Sequence, residues 1–450
     1  MAGVPSRAVA AMTARERERF ALANSASRRL AEQARQTWLD GVPMHWMLDW
    51  GTPFPLFVRE ASGNRFVDVD GHVYVDFCLG DTAAMFGHAP APVAEAVAAR
   101  AGRGLSLMLP TEDAVAVGAA LAERFGLPLW QTAVTASDAN RFVLRWARGL
   151  TGRDRIVVFN GCYHGAVDET LACLRDGRCA PRPGLIGQAV DPARTTRVVE
   201  FNDVEGLEAA LRPGDIAAVI AEPVLTNCGI VLPEPGFHKA LRTLTRAHGT
   251  LLVIDETHTI SAGPGGCTRA FDLEPDFLTL GKAAAGGLPA AVYGFTAEVA
   301  ARMASLNRRR EPGVSGLGTT LSGNALALAA MRATLERVMT PQAYAHMLAL
   351  AERLAAGLED VIRTRGLPWS VVRLGARAEL VFAAPPPRDG GAMARCLRPD
   401  LDRVLHLYLL NRGVAVTPFH NMMLVCPETG AADVDRLVAL IGDWIGALID

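Results

Sequence analysis

Hydrophobic positions change their rhythm several times along the chain, and each change marks a stretch of different structure. The opening segment, Ala14 to Trp38, is charged and alanine-rich and predicts helix. Between Pro55 and Phe77 the run PLFVREASGNRFVDVDGHVYVDF holds β-rich stretches, with a turn signal at Asp70-Gly71, and predicts a small meander. From about Ala89 to Ser322, short apolar runs alternate with helical stretches. TAVTA leads into a helix from Asp138. Then come RIVVF at 155–159, AAVIAEP at 217–223, a helix around His238 to His248, TLLVIDE at 250–256 and DFLTLGK at 276–282. Apolar strands separated by helices predict an α/β fold whose mainly parallel sheet is covered on both faces. After Asn324 a long helical stretch is expected to reach about Arg365. The tail mixes strands (VVRLGARAELVF, VAVTP) with helices at Asp400 to Leu410 and Ala432 to Leu448. A Pro-rich run, APPPRDGG at 384–391, reads as a loop. The expected division is an N-terminal segment, 1–75, that joins the C-terminal residues, 331–450, in a smaller α/β domain beside a large domain, 76–330.

Composition narrows the function classes. A 450-residue chain that is 50% hydrophobic buries a large core. Its net charge of −2 gives no support for nucleic-acid or acidic-membrane binding, and Arg308-Arg309-Arg310 reads as a solvated loop. The first 36 residues lack the apolar stretch of a secretory signal, and no apolar run is long enough to span a bilayer. Eight scattered cysteines without CxxC pairs suit free thiols in the cytoplasm and offer no metal site.

The residues that carry chemistry fall at the ends of predicted strands, where ligands bind in open parallel sheets. Asp255 closes LLVID and Lys282 closes FLTLG. A buried carboxylate and a buried lysine at neighbouring strand ends are costly unless they pair with each other or with a ligand. Pyridoxal 5′-phosphate (PLP) satisfies both: its ring nitrogen needs a negative partner, and its aldehyde needs a lysine amine. The bland alternative is a structural ion pair. Thr135-Ala136-Ser137-Asp138-Ala139 lies where a strand gives way to a helix, a ready phosphate site, although Ser137 or Asp138 as a plain helix cap explains it too. Tyr163-His164-Gly165 follows RIVVF; an aromatic there stacks on a flat ring, or sits buried in a turn. Glu222-Pro223 closes AAVIA, and Thr319-Thr320 precedes another helix start.

Taken together, FVDVDGHVYVDF at 66–77, GHAP at 87–90, PTE at 110–112, RIVVFNGCYHG at 155–165, AEPV at 221–224, VIDETHT at 253–259, TLGK at 279–282 and TTLSGN at 319–324 resemble the class III aminotransferases of PLP fold type I. Within them the chain looks like the branch of glutamate-1-semialdehyde aminomutase and β-amino-acid aminotransferase. The resemblance runs from about Gly41 to the C-terminus. It implies that Lys282 forms the Schiff base and shuttles protons, that Asp255 pairs with the ring nitrogen, and that Tyr163 stacks on the ring. It implies that Ala136 and Ser137 hold the phosphate, that His164 and Glu222 lie close to the cofactor, and that Thr320 reaches the phosphate of a neighbouring subunit in a homodimer.

Some positions depart from the family's pattern. Ala136 stands where glycine is usual. Thr257 stands where valine packs under the ring, and His258 follows it as a candidate general base. Relatives clamp a substrate carboxylate with arginine, yet GVPMHWMLDWGTP and VTPFHNMML contain none. Trp46, Phe419 and His420 stand there instead, a lining suited to an apolar amine or a bulky amino acid, and equally consistent with core packing. Arg377 is the remaining candidate clamp, although Glu379 shares its strand face and is a natural partner. The expected activity is transfer of an amino group from an amine or amino acid to a keto acceptor; the alternative is intramolecular transfer, as in an aminomutase. A non-catalytic PLP-fold protein is disfavoured by the retention of Lys282, Asp255, Ser137 and Tyr163. A nucleotide-binding protein is disfavoured because GPGG at 263–266 lacks the required helix pattern.

Overall fold

The central sheet follows from six- and five-residue strands with no polar face. The computed structural model describes residues 4–449, and the chain divides into two compact units. Ala91–Pro341 with Pro387–Arg395 make one; Met1–Pro90, Gln342–Pro386 and Cys396–Asp450 make the other.

The first unit is built on seven strands: β1 (Leu129–Ala133), β2 (Arg155–Phe159), β3 (Thr196–Val199), β4 (Ile216–Ala221), β5 (Leu251–Asp255), β6 (Phe277–Leu280) and β7 (Ala291–Phe295). They lie in the order β1-β7-β6-β5-β4-β2-β3. Pairing is parallel from β6 through β5, β4 and β2 to β3, and antiparallel where β7 meets β6 and β1. Every residue of β4 and β5 is buried, as continuous apolar runs in a parallel sheet require. Helix α1 (Ala136–Thr151) lays Ala139, Phe142, Val143, Leu144 and Ala147 against the sheet, and Asn140 is buried among them. It ends at Gly152, whose left-handed φ of 67° suits glycine. Helix α2 (Phe237–Ala247) precedes β5.

In the other unit, the expected N-terminal helix is two, Ser6–Ala23 and Ser25–Ala34. The break is at Asn24, whose side chain donates to the Phe20 carbonyl at 2.8 Å, a local bond that competes with helix continuation. The meander forms as Val58–Ser62, Arg65–Asp68 and Val73–Asp76, and Val414–Ala415 adds to it in parallel. Asp68 accepts from the His72 backbone N–H at 2.8 Å and the Tyr74 hydroxyl at 2.9 Å, closing the turn at Gly71. Ser370–Leu374 and Arg377–Val381 form a hairpin, which Met423–Leu424 extends. The core gathers Phe77, Leu354, Leu358, Leu405, Ile441 and Trp444.

The long helix expected after Asn324 is also divided. Ala325–Ala333 passes into one π turn, Thr334–Val338, and a new helix, Pro341–Thr364, starts at a proline that has no N–H to lose. The unit boundary falls at this break. Among the described residues, no helix is long and apolar enough to cross a membrane, and no cluster of three metal-ligating side chains occurs.

Candidate active site

The ends of β5 and β6 lie side by side, with Asp255 in register with Thr279. Asp255 is buried, and its Oδ2 accepts from Asn140 Nδ2 at 2.9 Å and lies 2.9 Å from His164 Nδ1. Its Oδ1 accepts from the Thr257 backbone N–H at 3.1 Å. Burial opposes ionisation, but the hydrogen bond and charge of His164, with Thr257 and Asn140, outweigh it and hold this carboxyl down at about 2. His164 is fully buried. Burial disfavours its charged form too, yet Cys162 and Asp255 beside it push the imidazole well above its usual value. The cluster therefore keeps a negative charge at the strand end.

Asn140 was not singled out by sequence reasoning, yet it joins three elements. Its Oδ1 accepts from the Thr279 hydroxyl at 2.7 Å, and its Nδ2 also donates to the His164 carbonyl at 3.0 Å. An asparagine within the apolar stripe of α1 is the one signal that marks it, because a buried amide needs partners. Thr226 was missed as well. Its backbone N–H donates to Glu222 Oε2 at 3.0 Å and its hydroxyl to the same oxygen; Tyr163 N–H donates to Oε1 at 3.1 Å. Burial raises the Glu222 carboxyl above its ordinary range.

The helix start is capped by Thr135, not by Ser137 or Asp138: Thr135 Oγ1 accepts from Asp138 N–H at 3.1 Å. Ser137 Oγ accepts from Ala166 N–H at 3.0 Å, an arrangement that leaves the hydroxyl its proton to donate. Two glycines make this cradle. A Cβ on Gly165 (φ 83°) would lie 2.2 Å from Ser137 Oγ, and one on Gly281 would lie 2.8 Å from the Ala136 Cβ. The methyl of Ala136 is thus accommodated by Gly281, the residue before Lys282. Lys282 itself has a left-handed φ of 46°, unusual for a lysine, and its Nζ lies 2.7 Å from His258 Nε2. A helix N-terminus with a serine hydroxyl, an ionised aspartate and a lysine at adjacent strand ends fit the phosphate, ring nitrogen and aldehyde of PLP.

Thr257 is buried next to Asp255, and Tyr163 is half-buried after β2. Arg182, another residue sequence reasoning missed, places its guanidinium 5.8 Å from the centre of the Tyr163 ring and donates to the Cys162 carbonyl at 3.0 Å. Thr320 is not brought into this cluster. It is exposed on a loop that lines a cleft of about 390 Å³ with Met108, Leu109, Thr132 and Asn324. The GPGG stretch has a different use from nucleotide binding. It leads the short helix Gly266–Ala270, whose Cys267 and Thr268 N–H groups donate to the buried Glu256 carboxylate.

Trp46, Arg377, Phe419 and His420 belong to the other unit. Trp46 is exposed in the single turn His45–Leu48, and Phe419 packs edge-on to His420 at 5.3 Å. Arg377 does not present a clamp to a ligand. It is wholly buried, its Nε donates to Glu379 Oε1 at 2.8 Å and its Nη2 to the same oxygen, with His420 Nδ1 3.2 Å from that oxygen. The period-two spacing that puts Glu379 on the same strand face explains the correction: the charge is already neutralised. Nearby, Asn421 Nδ2 donates to Asp402 Oδ1 at 2.9 Å, and burial pushes the Asp402 carboxyl up to about 6. An acid whose folded value is raised contributes stability that is complete below about pH 4 and lost as pH rises through about 6. Asp402→Asn is therefore expected to be more stable than the parent by roughly 2–3 kcal/mol at pH 8. The difference should vanish at pH 4; denaturation midpoints that differ equally at both pH values would refute the assignment.

The class III aminotransferase family model matches residues 47–429. Glutamate-1-semialdehyde 2,1-aminomutase of Sorangium cellulosum is 36% identical over 401 residues, covering 87% of this chain and 90% of that protein. Among solved structures, a glutamate-1-semialdehyde aminomutase from Pseudomonas aeruginosa PAO1 is 51% identical with a TM-score of 0.97, over 99% of this chain and 100% of that one. A lysine-to-alanine variant of that protein has been solved in complex with PMP. A β-phenylalanine aminotransferase from Variovorax paradoxus is 28% identical with a TM-score of 0.86, over 97% of each chain.

Proposed function

The chain belongs to the class III aminotransferase family, and from that premise we propose that it is a PLP-dependent aminomutase that exchanges the amino and oxo groups of glutamate-1-semialdehyde within one molecule. The observation that carries this reading is the 51% identity and near-complete superposition with the P. aeruginosa aminomutase. Intermolecular transfer from an amine or amino acid to a keto acceptor, the activity expected from the sequence, thereby yields to its alternative; its support is the more distant β-phenylalanine aminotransferase.

Bound PLP supplies an electron sink that lets a proton leave the carbon bearing the amino group. The protein supplies the rest. Lys282 Nζ is the nucleophile and proton carrier. Asp255, held ionised by His164 and Asn140, keeps a proton on the ring nitrogen. The first N–H groups of α1 and the Ser137 hydroxyl bind phosphate beside Ala136, Tyr163 packs on the ring, and Glu222 fixes the Tyr163 backbone. Thr257 lies beside Asp255 under the same ring. Thr320 serves the partner's site in a homodimer. Exposed apolar residues on the described unit, Leu107, Met108, Leu109 and Leu321, support such an interface. The eight cysteines are free, in keeping with a reducing cytoplasm.

A carboxylate-bearing substrate needs a positive partner, and Arg377 is committed to Glu379. Arg182, set against Tyr163, supplies it in this reading. Arg182→Ala is expected to raise KM at least tenfold while kcat falls less; a reversed split would show that the guanidinium acts elsewhere. The activity itself is tested by giving the holoenzyme glutamate-1-semialdehyde with no keto acid. Repeated turnover to the isomer with amino and oxo groups exchanged is the expected result. An absolute requirement for added keto acid, or an inert semialdehyde alongside a reactive phenyl-bearing amine, would establish the aminotransferase instead.

A further inference from the structure

We propose that His258 is the proton partner of Lys282: its Nε2 takes the proton that the lysine ammonium must lose before the amine can attack an aldehyde carbon. This deepens the reading of Lys282 as the nucleophile and rests on it. The two nitrogens are 2.7 Å apart, within strong hydrogen-bonding range. His258 is 6% exposed, so its ring is packed in place.

Both ends of this contact stand on fixed backbone. His258 follows β5 at the entry to the turn Thr259–Ala262, where Ile260 N–H donates to the Glu256 carbonyl at 3.0 Å. The Glu256 side chain is anchored in turn by Thr259, Cys267 and Thr268. On the other side, the left-handed backbone at Lys282 is held between Gly281, packed on Ala136, and the turn closed by Ala284 N–H on the Gly281 carbonyl at 3.1 Å. A strained conformation persists where its surroundings over-determine it, and here it aims a lysine at an imidazole.

An alkylammonium has no lone pair and is not a nucleophile. An imidazole with its proton on Nδ1 offers Nε2 as an acceptor. In the transfer, one N–H bond of the ammonium breaks and one Nε2–H bond forms. The positive charge moves from Nζ to the ring, and no electrons are exchanged. The same pair runs in reverse when a substrate amine displaces the lysine. Glutamine at 258 keeps a hydrogen-bond acceptor but cannot take the proton, so it separates proton transfer from positioning.

The test uses the fact that the chain contains two lysines, Lys239 and Lys282. Lys239, exposed on α2, is an internal reference. Full-length protein freed of cofactor is labelled with a trace of acetic anhydride, and the Lys282-to-Lys239 ratio is read by peptide mass spectrometry. In parallel, PLP is added and its covalent capture on Lys282 is timed by borohydride quenching. His258→Phe and His258→Gln are both expected to lower the labelling ratio and the capture rate at least tenfold, in line with the loss of a general base. A His258→Gln protein with parental ratio and rate would overturn the proposal, leaving His258 a positioning residue; so would two unaffected variants. Should His258→Phe not fold, His258→Asn joins His258→Gln in the comparison. Failure of the parent to attach PLP at Lys282 would sink the proposed function, while the labelling ratio would still report on the proton partner.

Discussion

Lys282→Ala is expected to lower turnover by three orders of magnitude or more while leaving the fold intact, since it removes the proposed nucleophile outright. The only other lysine, Lys239, is exposed on α2 before β5 and does not replace it. Stability changes little: alanine at 282 keeps the same left-handed backbone, and Lys282 is half-buried, although the variant gives up the contact of its Nζ with His258. The phosphate cradle at Ser137 and the charge at Asp255 remain, so the variant should still carry PLP through non-covalent contacts. Activity, the thermal midpoint and the cofactor retained after gel filtration separate these effects. Residual activity within tenfold of the parent, or borohydride label on Lys239, would displace Lys282 from its role.

Asp255→Asn is expected to slow the reaction by roughly 10²–10⁴-fold, the range in which positioned charges and proton-transfer groups contribute to catalysis. The amide oxygen can replace Oδ2 against Asn140 and His164. The amide nitrogen then faces the Thr257 N–H, two donors together, which costs roughly 1–3 kcal/mol of stability. The rate should fall much further than that strain explains, because in the proposed mechanism no charge remains to hold a proton on the ring nitrogen. The sign of the pH effect follows from the carboxyl value of about 2. A depressed carboxyl contributes fully above its ordinary value near 3.8 and is lost only as pH falls through about 2. Cofactor retention by the parent should accordingly be insensitive to Asp255 between pH 5 and 8. A variant with near-parental kcat would show that another group holds the ring proton.

Legibility followed burial. IAAVIA and LLVID could be read as strands because two covered faces demand unbroken apolar runs. Thr196–Val199 and Ala291–Phe295 escaped notice: the first is an edge strand with Thr and Arg as half of its four residues, and the second runs against its neighbours, a direction that no local pattern encodes. Asp255, Lys282 and Ser137 stood out because charged or hydroxyl groups closing apolar strands or opening a helix are chemically conspicuous. Asn140 did not, since its role depends on what packs over α1, and Arg182 did not, since it lies beyond any regular strand. The spacing of Arg377 and Glu379 already contained their pairing. What it did not contain was the depth of burial at which the pair sits. The break in the helix after Asn324 depends on a π turn whose residues look helical one by one.

The scarcity of lysine has a practical side. Of the 45 basic side chains in the chain, two are lysines, and Lys239 is the exposed one. With Lys282 held by cofactor as proposed, amine-directed coupling has a single side-chain address, apart from the amino terminus. A support, dye or polymer attached at mildly alkaline pH would thus seat every molecule by the same helix. Uniformly oriented films, and fluorescence readings free of mixed labelling, should be obtainable without engineering the chain.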